Sequence, residues 1–108
     1  MAQNSIKFIP QRTKTSAGMT ADYVAINASG LEEACSSLTI QNATNKVITL
    51  SFDGSTDHRF LPVGATWLLE AQTNNQPASK VSLLPRGTIV YVKGDTGTGD
   101  VYLSGCYV

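Results

Sequence analysis

Charge is scarce in this sequence. Only 15% of its 108 residues are charged, and eight basic residues balance eight acidic ones to a formal net charge of zero, whereas soluble domains average about 25% charged residues. A dedicated nucleic-acid-binding domain carries a basic surface, so the balance predicts no specific nucleic-acid partner. Hydroxyl and amide side chains are less costly to bury than ions. This composition therefore favours a subunit of an assembly.

The chain also lacks long apolar runs, and it has few cysteines. No run approaches the roughly 20 apolar residues that span a bilayer, and the start Met-Ala-Gln-Asn-Ser is unlike a secretory signal. We therefore expect synthesis in a cytoplasm and no membrane association. Cys35 and Cys106 are too few and too far apart for a zinc motif. Both are predicted to be small buried side chains; a reducing compartment disfavours a disulfide between them, although their spacing leaves one open.

What the chain has instead is a series of short alternating segments. Residues 38–41 and 48–52 alternate apolar and polar side chains around a polar stretch at 42–46. Period two predicts half-buried antiparallel strands, and the short stretch predicts a hairpin between them. Similar segments recur about every 8–12 residues without a convincing helix. We predict an all-β fold: a single antiparallel β-sandwich (jelly-roll or immunoglobulin-like) or a small barrel of about seven or eight strands.

The first 21 residues differ from the rest. They carry Lys7, Arg12 and Lys14 and have no acidic residue before Asp22. We predict an N-terminal arm over residues 1–21, consisting of a short edge strand closed by Pro10 and a flexible basic segment. Residues 22–108 form the predicted sandwich domain. Within it, residues 72–79 are predicted to be an exposed, mobile loop.

His58, the single histidine, is the first candidate for catalysis. A hydrolytic triad would pair it with a nucleophile and an orienting acid. No serine lies in a Gly-x-Ser-x-Gly turn, although spacing alone leaves a partnership with a cysteine open. The flanking Asp57 and Arg59 predict a polar turn residue instead, and a small hydrolase is the least favoured function.

Asp53 and Asp57 are candidate calcium ligands, with Asp95 or Asp100 as a further ligand. Their segment lacks the third acidic ligand and the final glutamate of an EF-hand loop. The same residues are typical of a turn in which an aspartate accepts hydrogen bonds from its own backbone. That turn is the favoured prediction.

Aromatic residues and a glycine-rich segment complete the candidates. A stacking platform for sugars or bases could form from Trp67, Tyr91, Tyr102 and Tyr107. Trp67 alternates in phase with Leu69, which predicts a core position.

Residues 94–99 superficially resemble a phosphate-binding loop but lack its Gly-Lys-Ser/Thr ending and open no helix, so a hairpin connection is predicted. We assign no catalytic, cofactor-binding or metal-binding residue and expect no cofactor.

Several turn motifs resemble those of small structural proteins of tailed bacteriophages. They are Leu-Thr-Ile-Gln-Asn-Ala-Thr at 38–44, Ser-Phe-Asp-Gly-Ser-Thr-Asp-His at 51–58, Leu-Pro-Val-Gly-Ala at 61–65, Leu-Pro-Arg-Gly-Thr-Ile-Val-Tyr-Val-Lys-Gly at 84–94 and Gly-Asp-Val-Tyr-Leu-Ser-Gly-Cys-Tyr at 99–107. The resemblance runs over about two-thirds of the chain, from residue 38 to its end.

This resemblance implies a non-enzymatic virion protein, made in the host cytoplasm and located in the virion. In the first place it implies a capsid decoration (cement) protein that stabilises the head through contacts with its own copies, as a homo-oligomer, and with the major capsid protein. A head–tail connector, neck or tail protein is the alternative. A ligand- or carbohydrate-binding sandwich module is a second class. The turns at 42–46 and 53–59 are the predicted packing surfaces.

Overall fold

The structure, a computed structural model, describes residues 7–70 and 84–107. These residues form nine strands: β1 (Lys7–Phe8), β2 (Arg12–Thr15), β3 (Val24–Ala25), β4 (Ser37–Asn42), β5 (Ile48–Ser51), β6 (Arg59–Leu61), β7 (Thr66–Glu70), β8 (Tyr91–Gly94) and β9 (Asp100–Tyr107). All pairings are antiparallel, and they build two sheets. The predicted β-sandwich is confirmed.

Most consecutive strands lie in opposite sheets. Sheet A has the order β1-β9-β4-β7, with β2 also paired to β9, and sheet B has the order β3-β8-β5-β6. Among the strands described, β5 and β6 are the only consecutive pair that forms a hairpin. Two antiparallel sheets whose connections cross from one to the other make a jelly roll. The structure therefore selects the jelly roll from the predicted alternatives.

Two predicted hairpins are wrong. The segments at 38–41 and 48–52 do form strands, but β4 pairs with β7 and β9 while β5 pairs with β6 and β8. The glycine-rich segment at 94–99 likewise leads from β8 in sheet B to β9 in sheet A. Alternation shows which side chains face inward but does not show which sheet a strand joins. A short polar stretch can cross between sheets as well as turn within one.

The N-terminal residues that the structure describes belong to sheet A. Arg12 pairs with Leu103, and Phe8 pairs with Cys106. Beyond β2, Met19 is completely buried in the core. The predicted edge strand is present, but the prediction of a flexible basic segment is wrong for residues 12–19, because backbone pairing and core burial hold them. Residues 1–6 and the predicted loop at 72–79 lie outside the described residues.

The core fills the space between the sheets. Alternate residues of each long strand face inward, as period two requires. The buried apolar side chains are Ile9, Met19, Ile26, Leu31, Cys35, Leu38, Ile40, Ile48, Leu50, Leu61, Val90, Val92, Val101 and Leu103. The opposite side of each sheet is left facing outward, and the surfaces described below lie on those outer sides.

Candidate functional site

Asp53 organises the turn after β5. Its Oδ1 accepts hydrogen bonds from the backbone N–H groups of Ser55 and Thr56, both at 2.8 Å, and from the Ser51 hydroxyl at 2.8 Å. The Ser55 and Thr56 amides, followed by the Ser51 hydroxyl, hold the pKa of Asp53 well below its usual range. The predicted aspartate turn is confirmed, and this carboxylate is satisfied by its own loop.

The Asp57 carboxylate, unlike that of Asp53, binds residues from other parts of the chain. It accepts a hydrogen bond from the Tyr23 hydroxyl and lies 2.9 Å from the Lys93 ammonium, which also sits 4.7 Å above the Tyr23 ring. The Tyr23 hydrogen bond, followed by the Lys93 contact, lowers the pKa of Asp57. Partial desolvation and the Asp57 bond raise the pKa of Tyr23 to about 12. Among residues 7–70 and 84–107, no group of three or more His, Cys, Asp or Glu side chains could hold a metal ion.

His58 is engaged by the turn that carries it. Its Nδ1 accepts the backbone N–H of Phe52 at 3.0 Å, and the two rings lie 5.9 Å apart. The cysteines are free thiols elsewhere: Cys35 is buried, and the Cys106 sulfur lies 2.8 Å from the Ser37 hydroxyl. Burial raises the pKa of the Cys35 thiol, which disfavours the reactive thiolate. Within the described ranges, no hydrogen bond pairs His58 with a nucleophile.

The structure does not bring the candidate aromatic residues together. Trp67 points inward from β7 and contacts Phe52 edge-on, with ring centroids 6.0 Å apart, and Arg59 lies 5.0 Å from its ring. Tyr91 and Tyr102 lie on strands of opposite sheets. The predicted core position of Trp67 is borne out by its packing against the core. These residues form no shared stacking platform.

The glycine-rich connection at 94–99 uses its amides within the protein. The N–H of Gly97 donates to the Ser16 carbonyl at 3.2 Å, and that of Thr98 donates to Asn45 Oδ1 at 2.8 Å. The Asn45 N–H in turn donates to the Thr98 carbonyl at 3.1 Å. A phosphate loop needs its amides free to meet the ligand, so this connection serves to join the two sheets.

Two surfaces that sequence reasoning missed lie on the outer sides of the sheets. The first, on sheet A, we call the polar face. It consists of Phe8, Gln11, Thr13, Ser37, Thr39, Gln41, Thr66, Leu68, Tyr102, Ser104 and Cys106. None of these side chains is charged. Within the part of the chain that the structure describes, charged residues occupy register positions on this side only at strand ends, where Asp100 begins β9 and Glu70 ends β7.

The second surface is a cleft of about 260 Å³ on the outer side of sheet B. Its lining includes Ala21, Val47, Thr49, Phe60, Lys93 and Asp95. We call it the sheet-B cleft. Phe60 is 62% exposed and Val47 is 44% exposed, so two large apolar side chains face solvent side by side. The sequence of the strands in both surfaces does alternate between inward and outward residues. This alternation shows which residues share a face only after the strands have been assigned to sheets.

No protein-family model matches this chain, and no curated protein matches it either. Among solved structures it is similar to one described as "SPP1 Dit (gp 19.1) Protein, a Paradigm of Hub Adsorption Apparatus in Gram-positive Infecting Phages". The identity is 15% and the TM-score is 0.47, over 98% of this chain and 50% of that one. This chain therefore spans half the length of that protein. A likeness this distant assigns neither a fold nor a function.

Proposed function

We propose that this chain is a non-enzymatic structural protein of a tailed-phage particle, and in the first place a capsid decoration protein. The observation that carries the proposal is the polar face, whose central positions on four strands carry no charged side chain. Such a face can be dehydrated against a neighbour without stranding an ion, because hydroxyls and amides cost less to bury than charges. Such a face fits a structural protein that acts by binding its neighbours in a particle.

The energetics of this face suit a repeated contact. Three strand spacings of about 4.8 Å, with about six residues along a strand at roughly 3.4 Å each, give sheet A a face of about 300 Å². That area is well below the roughly 800 Å² per partner of a standard interface. Its apolar contributors are Phe8, 76% exposed, and Leu68, 54% exposed; fully burying such a side chain is worth about 1.5–3 kcal/mol. One copy would bind weakly, whereas many copies on a symmetric particle gain by multivalency.

The jelly roll agrees with this proposal but does not select it. Viral capsid proteins and lectins both use the architecture, and one fold can carry many functions. The turn motifs at 51–58 and 84–94 supply the link to phage structural proteins, and the structure gives the first of them a structural task, since Asp53 ties that turn together. Within the described ranges, no helix is long and apolar enough to cross a membrane.

Mass spectrometry of purified particles tests the proposal. We expect the chain to be present, with hundreds of copies per particle for a decoration protein and about a dozen or fewer for the neck or tail alternative. Its absence from the particles would overturn the virion assignment.

A variant then tests the polar face. Thr39→Glu places a charge at its centre and should reduce incorporation into particles. Thr98→Glu makes the same change on an exposed connection and should leave incorporation unchanged. Thermal denaturation of both variants separates lost binding from lost folding. Equal incorporation of the two variants would argue against the polar face as the contact.

A further inference from the structure

We propose that copies of this chain join head to tail, with Phe8 of one copy inserted into the sheet-B cleft of the next. The inference rests on the proposed function, in which copies contact one another, and it adds the two surfaces that meet. One surface is a single projecting aromatic side chain with its neighbour Lys7. The other is the cleft between Phe60 and Val47.

The cleft has the size and lining of a receptor for a side chain. Its volume of about 260 Å³ lies below the roughly 300–1,000 Å³ of ordinary small-molecule sites. Phe60 and Val47 supply apolar walls that are exposed in the single chain. Covering them removes apolar surface from water, which is the main driving force of association.

Phe8 is the matching projection. It is 76% exposed, the most exposed of the large apolar side chains described. It stands on β1, the short strand at the edge of sheet A, where it pairs with Cys106. Buried aromatic anchors that fill a pocket dominate the energy of many protein interfaces. A strand backbone holds Phe8 in place, so little freedom is lost when it docks.

The charges around the two surfaces agree with this contact. Lys93 lines the cleft, but its ammonium already lies 2.9 Å from Asp57. Asp95 also lines the cleft and, within the described ranges, takes part in no salt bridge. Lys7 precedes Phe8 and is exposed. When Phe8 enters the cleft, Lys7 is the cation available to approach Asp95.

One chain cannot make this contact with itself. Phe8 pairs with Cys106 near the end of β9. At the start of β9, Asp100 pairs with Thr15. The next residue, Ser16, accepts a hydrogen bond from Gly97 in the connection at 94–99, which adjoins the cleft. The two surfaces thus lie at opposite ends of the sandwich as well as on opposite sheets. Two different surfaces meeting between identical chains form a heterologous contact, which closes into a ring or extends into an array.

Sedimentation velocity of the purified full chain over a range of concentrations tests the inference. We expect the wild type to self-associate, and Phe8→Ser and Phe60→Ser each to weaken that association by about tenfold or more. The decisive experiment mixes the two variants. Each retains the surface that the other has lost, so the mixture should form a one-to-one heterodimer at concentrations where either variant alone is still monomeric.

Matched control variants distinguish this contact from a general loss of apolar or charged surface. Val63→Ser truncates an apolar side chain that is 55% exposed and belongs to neither surface, and it should associate like the wild type. Lys7→Glu and Asp95→Lys should each weaken association, and the combined variant should recover it, whereas Arg86→Glu should have no effect. Melting temperatures confirm that each variant is folded.

Three results would overturn the inference: a wild type that stays monomeric at millimolar concentration, a mixture of variants that fails to pair, or equal loss in Val63→Ser. None of these results bears on whether the chain is present in purified particles. Conversely, head-to-tail pairing of a chain absent from particles would leave the contact standing and remove the virion function.

Discussion

The buried side-chain carbonyl of Asn42 accepts two hydrogen bonds from Thr44, one from the backbone N–H at 3.0 Å and one from the hydroxyl at 2.6 Å. The two N–H groups of the Asn42 amide are shared among three carbonyls, those of Lys46, Leu61 and Pro62, at N···O distances of 2.9, 3.1 and 3.1 Å. One side chain thus fastens the crossover from β4 to β5 and the turn after β6. It holds the end of the sandwich where the chain passes between the sheets.

Removing this amide should cost the protein much of its stability. Asn42→Ala leaves buried carbonyls without donors, and each unsatisfied buried group costs about 1–3 kcal/mol. We expect urea denaturation to show a loss of about 3 kcal/mol for Asn42→Ala and about 1–2 kcal/mol for Thr44→Val. Gln41→Ala, at the exposed neighbouring position, should change the free energy of unfolding by less than about 0.5 kcal/mol. Similar losses at positions 41 and 42 would contradict the role assigned to Asn42.

Gly99 is required by both its backbone conformation and its surroundings. Its φ is +89°, and a Cβ at this position would collide with the carbonyl oxygen of Ala43. Gly64 has a φ of +76° but open space around it, and Gly18 has neither constraint. We therefore expect Ala substitution to destabilise the protein most at Gly99, by about 1–2 kcal/mol at Gly64, and least at Gly18. Denaturant midpoints of the three variants check this order.

Acid should weaken the Asp53 turn. Its hydrogen bonds lower the pKa of Asp53 in the folded state, so the fold favours the ionised carboxylate. That contribution to stability is present above the ordinary aspartate pKa of about 3.9 and is lost as the pH falls through the lower folded value. We expect the melting temperature of the wild type to fall more steeply below pH 4 than that of Asp53→Asn.

Asp22→Asn is the control for this pH dependence. Asp22 is exposed, and its carboxylate accepts no hydrogen bond within the described ranges. Melting curves of this variant should follow the wild type from pH 7 down to pH 2. An Asp53→Asn variant with the same acid sensitivity as the wild type would count against the turn as the source of the effect.

Arg59 covers Trp67 at the open edge of the sandwich. The guanidinium carbon lies 5.0 Å from the ring centroid, a contact worth about 0.5–1 kcal/mol at an exposed site. Because Trp67 is the only tryptophan, its fluorescence reports on this edge alone. Arg59→Ala should shift the emission to longer wavelength and speed quenching by the neutral quencher acrylamide, while Arg86→Ala, on an exposed turn, should do neither. An unchanged spectrum in Arg59→Ala would contradict the contact.

Patterns among neighbouring residues were sufficient to predict several strands and one turn of this structure. Alternation at 48–52 predicted β5, and the phase of Trp67 with Leu69 predicted which side of β7 packs on the core. The Asp-rich turn was also predictable, because an aspartate carboxylate reaches backbone amides two and three residues ahead. These features depend on neighbours in sequence, so the sequence by itself determined them.

Only the tertiary structure decided how the strands pair and which surfaces result. β4 pairs with β9 rather than with β5, and residues 12–15 form a strand because β9 offers them an edge. Such pairings join residues far apart in the chain, and their energies come from burial and backbone hydrogen bonds that no local pattern records. The polar face and the sheet-B cleft follow from these pairings. Neither surface exists until distant strands lie side by side.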